Sequence, residues 1–438
     1  SPSLTTAITV NISHPEQKYI DVSYRFSGIK TPELVLAFPS WSPGSYLIRE
    51  YQSQVEAFAA KTPDGKKVAH QKIDKNHWLL NTKNKQTVIV TYRVYANELN
   101  VRGVFSDDSL VFINPTACFF YPKGHLNKSV TLKFTKSKSW HLSLSKHLRN
   151  KSYNFADFDE LFDTPILAAQ NLKQHHFKIG SCKYTVAIWG KHCGDEKNII
   201  RDLQKIIRKE VKVFKHNPCK EYLFQILFIN GLFGGLEHCF SSTNIFDGSR
   251  LRNKKDYQRF LSLLAHEHFH LWNVKRIRPQ EIGPPFDYTQ ELYTRDLWIA
   301  EGITSYYDDH FIYRAGLYDA EQYMSLLSDN ITRLENTKSV HVNSLSDSSF
   351  DTWIRFYRQN ENSFNTTVSY YLKGGLVSML LDWHIIKETK AKHTLDDVML
   401  KLYKMYQKRP ELGISRKEFF ECVESFTGAN TKSYMKPY

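Results

Sequence analysis

The chain is poor in cysteine, and no two cysteines are spaced to chelate a metal or shuttle electrons. Six lie at positions 118, 182, 193, 219, 239 and 422 of 438 residues, and none forms a C-x-x-C pair. That spacing excludes a zinc ribbon and a thioredoxin-like redox centre, and it suits free thiols in a reducing, cytoplasmic setting. No apolar run reaches the roughly 18 residues that mark a membrane-crossing helix, so no membrane partner is expected. The opening stretch SPSLTTAITV lacks the basic and apolar regions of a signal peptide. Cations outnumber anions, 59 to 45 for a net charge of +14, but no block of about five like charges occurs. Scattered cations describe a solvated surface, and no nucleic-acid partner is expected. Internal repeats and low-complexity segments are missing as well.

What is present is a folded, core-bearing composition, 41% hydrophobic and 14% aromatic. At this length more than one core is expected. Residues 1–175 read as β-structure: Ala7–Ile12, Tyr19–Phe26, Leu34–Phe38, Thr87–Tyr95, Leu110–Ile113 and Val130–Phe134 are short apolar runs with partial alternation. Turn residues separate them, among them Ser40-Trp41-Ser42-Pro43-Gly44 and Thr62-Pro63-Asp64-Gly65. Over 176–438 the period changes. Two strands, Tyr184–Trp189 and Tyr222–Asn230, bracket a helix marked by Ile199, Leu203, Ile206, Val211 and Phe214 and running to His216-Asn217-Pro218. Helical patterns follow at Asp256–Lys275, Asp296–Tyr313, Ala320–Asn336, Lys373–Lys387, Leu395–Gln407 and Arg416–Phe426. This predicts an α+β protein, a β-sandwich-like N-terminal domain followed by a mainly helical one.

The chemistry gathers at His266-Glu267-His268-Phe269-His270, which carries the frame H-E-x-x-H. Histidines four apart share one helix face, so His266 and His270 reach the same metal ion. Glu267 projects to the side, where it can act on a water as a general base. A catalytic zinc takes a third protein ligand and keeps one position open. Glu301 is the best candidate, because its Ala, Gly and Ile neighbours make an unpaired charge costly. Glu281, Asp287, Glu291 and Asp296 are rivals in more polar company. Upstream, Gly234 and Gly235 let a substrate backbone approach closely, and Glu237 beyond them can neutralise an α-ammonium. Tyr370 and Tyr371, ahead of Lys373-Gly374-Gly375, are aromatic core residues or an oxyanion donor. Cys239 reads as a packed thiol, and Arg276 and Arg278 as domain-interface residues.

These stretches resemble a known family. HEHFH, the intervening Trp272–Pro279 and Trp298-Ile299-Ala300-Glu301-Gly302 are similar to the glycyl aminopeptidase family of gluzincins. These are relatives of aminopeptidase N with a thermolysin-like catalytic domain. Gly234-Gly235-Leu236-Glu237-His238 resembles the G-A-M-E-N exopeptidase motif of aminopeptidase N, and Tyr371-Leu372-Lys373-Gly374 its Y-E-K-G. Ser40–Tyr46 resembles the glycyl aminopeptidase N-terminal lobe. The resemblance implies one Zn2+ per chain on His266, His270 and Glu301, Glu267 as general base, and Tyr371 (rather than Tyr370) at the oxyanion. It also implies Glu237 at the substrate amine and removal of N-terminal Gly or another small residue from peptides. A zinc endopeptidase and a non-catalytic peptide-binding scaffold are the alternative readings. The chain departs from the pattern at His238, where aminopeptidase N has Asn, and no PDZ domain of the family is expected within it. In thermolysin-like sites a carboxylate four residues after the ligating Glu orients a ligand histidine. Here that position is Ser305, so Ser305, Thr304 or a backbone carbonyl is expected to serve.

Overall fold

Alternating burial builds the first lobe. Thr5–Asn11, Tyr19–Ser27 and Thr87–Tyr95 each present every second side chain to the interior, so Ile8, Val10, Val22, Tyr24, Phe26, Val90 and Tyr92 line one buried face. A computed structural model describes residues 3–428 and 430–438 of the chain. In it these strands join Tyr153–Phe155, Val130–Thr135 and Val55–Lys61 in a six-stranded sheet. Its pairs are antiparallel except Thr5–Asn11 beside Val130–Thr135. Two four-stranded sheets complete the lobe. The strands expected from sequence are present. Val55–Lys61, His70–Lys72 and His77–Asn81 escape a periodicity reading because the first is broken by a register shift between Glu56 and Ala59 and the other two are only three and five residues long.

The second lobe opens on a five-stranded sheet with the spatial order Lys173–Ile179, Cys182–Trp189, Glu221–Phe228, Ser241–Phe246, Gly234–Glu237. The three inner strands are parallel; Glu221–Phe228 is buried and nearly continuous in apolar residues, as a strand covered on both faces is, whereas Ser241–Phe246 buries Ser, Thr and Asn side chains. Gly234–Glu237 is an antiparallel edge strand. Helix Glu196–Phe214 buries Ile199, Leu203, Ile206 and Phe214 and packs on the helix that carries the histidines.

That histidine helix runs Lys254–Phe269, capped by the Asn253 side chain accepting from the Asp256 amide. It stops well before Lys275, although no Pro or Gly intervenes. The chain turns because His270 Nδ1 bonds the Asn273 carbonyl at 2.7 Å and the Arg276 guanidinium donates to the Leu271 carbonyl at 2.7 Å. Such side-chain bonds replace the helical ladder. The next helix begins with one π-helical turn, Trp298–Gly302, before Ile303–Arg314. Helices Ala320–Glu335, Leu372–Glu388, Leu395–Lys408 and Arg416–Thr427 follow. The turn at Ser40–Tyr46 crosses to the second lobe, where the Ser40 amide donates to Tyr288 O and Trp41 Nε1 to Gln290 O, both at 2.8 Å. None of the described helices is long and apolar enough to cross a membrane. All six cysteines are free.

Candidate active site

Three donors converge at the end of the histidine helix. Glu301 Oε2 lies 3.2 Å from His266 Nε2 and 3.2 Å from His270 Nε2. The other ring nitrogens are tied off, His266 Nδ1 at 2.9 Å from Asp308 Oδ2 and His270 Nδ1 on Asn273 O. Both Nε2 atoms are therefore aimed at the same point. Ligands about 2.0–2.2 Å from a tetrahedral zinc stand roughly 3.4 Å apart, so the spacing and the two-nitrogen, one-oxygen donor set fit that ion. The buried Glu301 carboxylate is held well below its usual range: burial opposes ionisation, but the two imidazoles prevail.

The π-helical turn explains how Glu301 arrives. Ile303 N bonds Trp298 O five residues back, which frees neighbouring carbonyls from the usual ladder. Asn273 Nδ2 takes those of Ile299 and Ala300 at 3.0 and 3.1 Å. Asn273 thus joins the His270 orienting contact to the Glu301 backbone. Gly302 then meets Gly374 on helix Leu372–Glu388, where a Cβ on Gly302 would stand 2.7 Å from Gly374 Cα. This close approach sets Tyr371, at the N-cap of that helix, beside the histidines. Its ring centre is 6.4 Å from that of His266, and it lines the cleft. Tyr370 is buried, with the Thr352 hydroxyl donating to its own at 3.0 Å.

Glu267 and Glu237 face each other across the donors. Acceptor atoms of Glu237, Glu267 and His270 lie within 4.8 Å of one another, and both carboxylates are buried. Among the described residues Glu267 Oε2 and Glu237 Oε1 have no hydrogen-bond partner. Burial pushes the Glu267 carboxyl up to about 7 against the pull of the two histidines. Each carboxylate rests against a glycine. A Cβ on Gly235 would stand 2.1 Å from Glu267 Oε1, and one on Gly44 2.6 Å from Glu237 Oε1. Gly235→Ala must therefore displace Glu267. Since a misplacement of about 1 Å costs on the order of 100-fold, kcat should fall by about that factor while metal content, read by atomic emission, holds. Parental turnover would mean the carboxylate tolerates the shift.

Sequence reasoning placed these residues but missed their supports. Asp308, seven residues after Glu301, orients His266, where Ser305 was expected; both line the cleft, one turn apart on the same helix face, and the longer side chain one turn on makes the contact. His270 receives a backbone carbonyl, as anticipated, with the Thr304 hydroxyl donating to that same carbonyl at 3.2 Å. His238 turns away from the cleft: its Nδ1 is 2.8 Å from Asp163 Oδ1, and Lys275 Nζ is 3.2 Å from that oxygen. This buried cluster joins the two lobes behind Glu237, and no local motif announces it. Cys239 sits beside it, its thiol pushed up to about 12 by burial. Arg276 and Arg278 bond backbone carbonyls of Cys239, Pro410 and Glu411. The rival carboxylates lie elsewhere. Asp296 pairs with Arg416, and Glu281 Oε2 accepts from the Thr294 hydroxyl at 3.3 Å.

A sheet-rich lobe followed by a helical lobe, with H-E-x-x-H and a later glutamate converging, defines a two-lobed metallopeptidase. Comparison with known proteins narrows the class. The model of the M61 glycyl aminopeptidase matches residues 259–377, and that of the peptidase M61 N-terminal domain matches 7–170. The chain belongs to the M61 glycyl aminopeptidase family and is a zinc metallopeptidase of aminopeptidase type. Among solved structures it is similar to an aminopeptidase N family protein from Idiomarina loihiensis. That match has 29% identity and a TM-score of 0.93 over 99% of this chain and 75% of the other. More distant folds include the M1 zinc metallopeptidase of Deinococcus radiodurans, at 14% identity, TM-score 0.58, and 99% and 92% coverage. Yeast LTA4 hydrolase in complex with bestatin follows at 15%, 0.55, and 99% and 66%. No curated protein matches in sequence.

Proposed function

We propose that this chain removes a single small N-terminal residue from peptides, with one zinc ion held by His266, His270 and Glu301. The observation that carries the reading is the unpartnered Glu237 carboxylate beside the donor cluster. A buried anion without a partner is costly, and a substrate α-ammonium is the cation that would complete it. The bound metal would polarise the scissile carbonyl and lower the pKa of a water molecule. Glu267 takes the proton from the attacking water and returns it to the leaving amine. Tyr371 donates to the oxygen on which negative charge develops. Asp308 and the Asn273 carbonyl keep the proton of each histidine on Nδ1, leaving Nε2 as the donor.

The first-residue pocket is small. Next to Glu237 and Glu301 a cavity of about 10 Å³ is walled by Tyr46, Trp353, Tyr357 and Tyr371. That is room for about one water molecule, hence for a hydrogen or a methyl group. Peptides starting with Gly or Ala should be cut and those starting with Leu or Phe should not. N-acetylation should lower kcat/KM by about 10–100-fold, the worth of a charge-assisted hydrogen bond. Assays on paired free and acetylated peptides decide the matter. Equal rates on the two would replace the aminopeptidase with an endopeptidase.

A further inference from the structure

The cleft runs on past the metal donors, and its far end is cationic. Its volume is about 950 Å³, and its lining includes Arg102, Phe233, Lys255 and Arg259. Two elements measure the distance from the reacting centre to that end. Along the edge strand, Glu237 and Gly234 are three steps apart, about 10 Å at strand rise. Along the histidine helix, Arg259 precedes His266 by seven residues, two turns on the same face and about 10.5 Å away. At the strand's far end the two sides close in. The Arg259 guanidinium stacks 4.5 Å over the exposed Phe233 ring. The Val101 side chain packs 3.8 Å from where a Cβ on Gly234 would stand, which brings its neighbour Arg102 in from the other lobe. Among the described residues the buried Arg102 Nε has no hydrogen-bond partner, and Arg259 is engaged by the Phe233 ring. Of the acidic residues that share the cleft, Asp308 and Asp309 are engaged by His266 and Ser262, and Glu321 and Asp329 belong to helix Ala320–Glu335 together with the cationic Arg333.

We propose that Arg102 and Arg259 form a carboxylate-binding subsite that captures the C-terminus of short peptides. An extended chain advances roughly 3.3–3.6 Å per residue, so a tripeptide spans about 10 Å from its amine to its carboxylate. With the amine on Glu237, its C-terminus arrives between the two guanidinium groups, which bind carboxylates in a planar, two-pronged manner. A longer peptide carries its terminal charge past them. The enzyme is thereby tuned to tripeptides. This extends the aminopeptidase reading and rests on it.

The test compares Gly-Ala-Ala with its C-terminal amide, and a glycine-initiated hexapeptide acid with its amide, on the zinc-loaded protein. The tripeptide acid should show a KM about tenfold below the amide, as expected for one partly exposed charged hydrogen bond, with kcat alike. The hexapeptide pair should not differ. Raising salt should shrink the tripeptide ratio. Arg259→Gln and Arg102→Gln should each raise KM for the tripeptide acid and bring the ratio towards one. Cleavage of the amide by these variants certifies their fold. Equal KM for wild-type acid and amide, a ratio that survives both substitutions, or an equal preference in the hexapeptides overturns the subsite. If acetylated and free peptides are cut alike, the aminopeptidase reading has failed instead, an outcome separate from the acid-to-amide ratio.

Discussion

Glu267→Gln should bind as much zinc as the parent protein and turn over peptides about 10²–10⁴-fold more slowly, the usual contribution of a positioned proton carrier. Glu267 stands outside the donor set, one residue from His266, with its carboxylate against Gly235. Glutamine keeps the shape and hydrogen-bonding reach of that side chain but cannot hold the water's proton. His270→Ala should behave differently, losing metal and activity together, because its Nε2 is one of the three converging donors. Atomic emission on dialysed protein beside a peptide assay separates the two. A Gln variant at parental rate would remove Glu267 from the proton path.

Tyr371→Phe should lower kcat by about 10²–10³-fold, the cost of one oxyanion donor, and leave KM nearly unchanged. The hydroxyl acts only as charge develops, and the ring's stacking on Tyr370 and Phe356 survives its removal. Tyr370→Phe should be mild by comparison, since its hydroxyl is engaged with Thr352. If the two variants exchange behaviours, the donor is Tyr370. A large rise in KM for Tyr371→Phe would make the residue a binder of ground-state substrate.

The metal donors are legible in the sequence because their geometry is local: four residues on a helix fix a common face. The strands and helices are legible for a related reason, since a period of two or 3.6 is written into each segment. Glu301 needed a chemical argument, a carboxyl group among apolar neighbours, and the π-helical turn that presents it leaves no such trace. Asp308 was missed because it lies one turn beyond Ser305 on the same helix face, and periodicity alone does not say which of the two reaches His266. Tyr46 and Trp353 are far apart in sequence and meet only through packing between lobes, so the size of the pocket proposed for the first residue could not be read from the chain. The Asp163–His238–Lys275 cluster was hidden for the same reason.

Gly44 belongs to the first lobe, yet it touches Glu237, the carboxylate proposed for the substrate amine, and Tyr46 from the same turn closes the pocket beside it. The bond-breaking groups, by contrast, all lie on the second lobe. The pocket proposed for the first residue thus takes one wall, Gly44 and Tyr46, from the half of the molecule that holds none of the metal donors. Changes in the turn at Ser40–Tyr46 can alter which peptides are accepted without disturbing the metal donors. A first lobe exchanged between relatives would alter that one wall, and the recipient would keep its own metal donors.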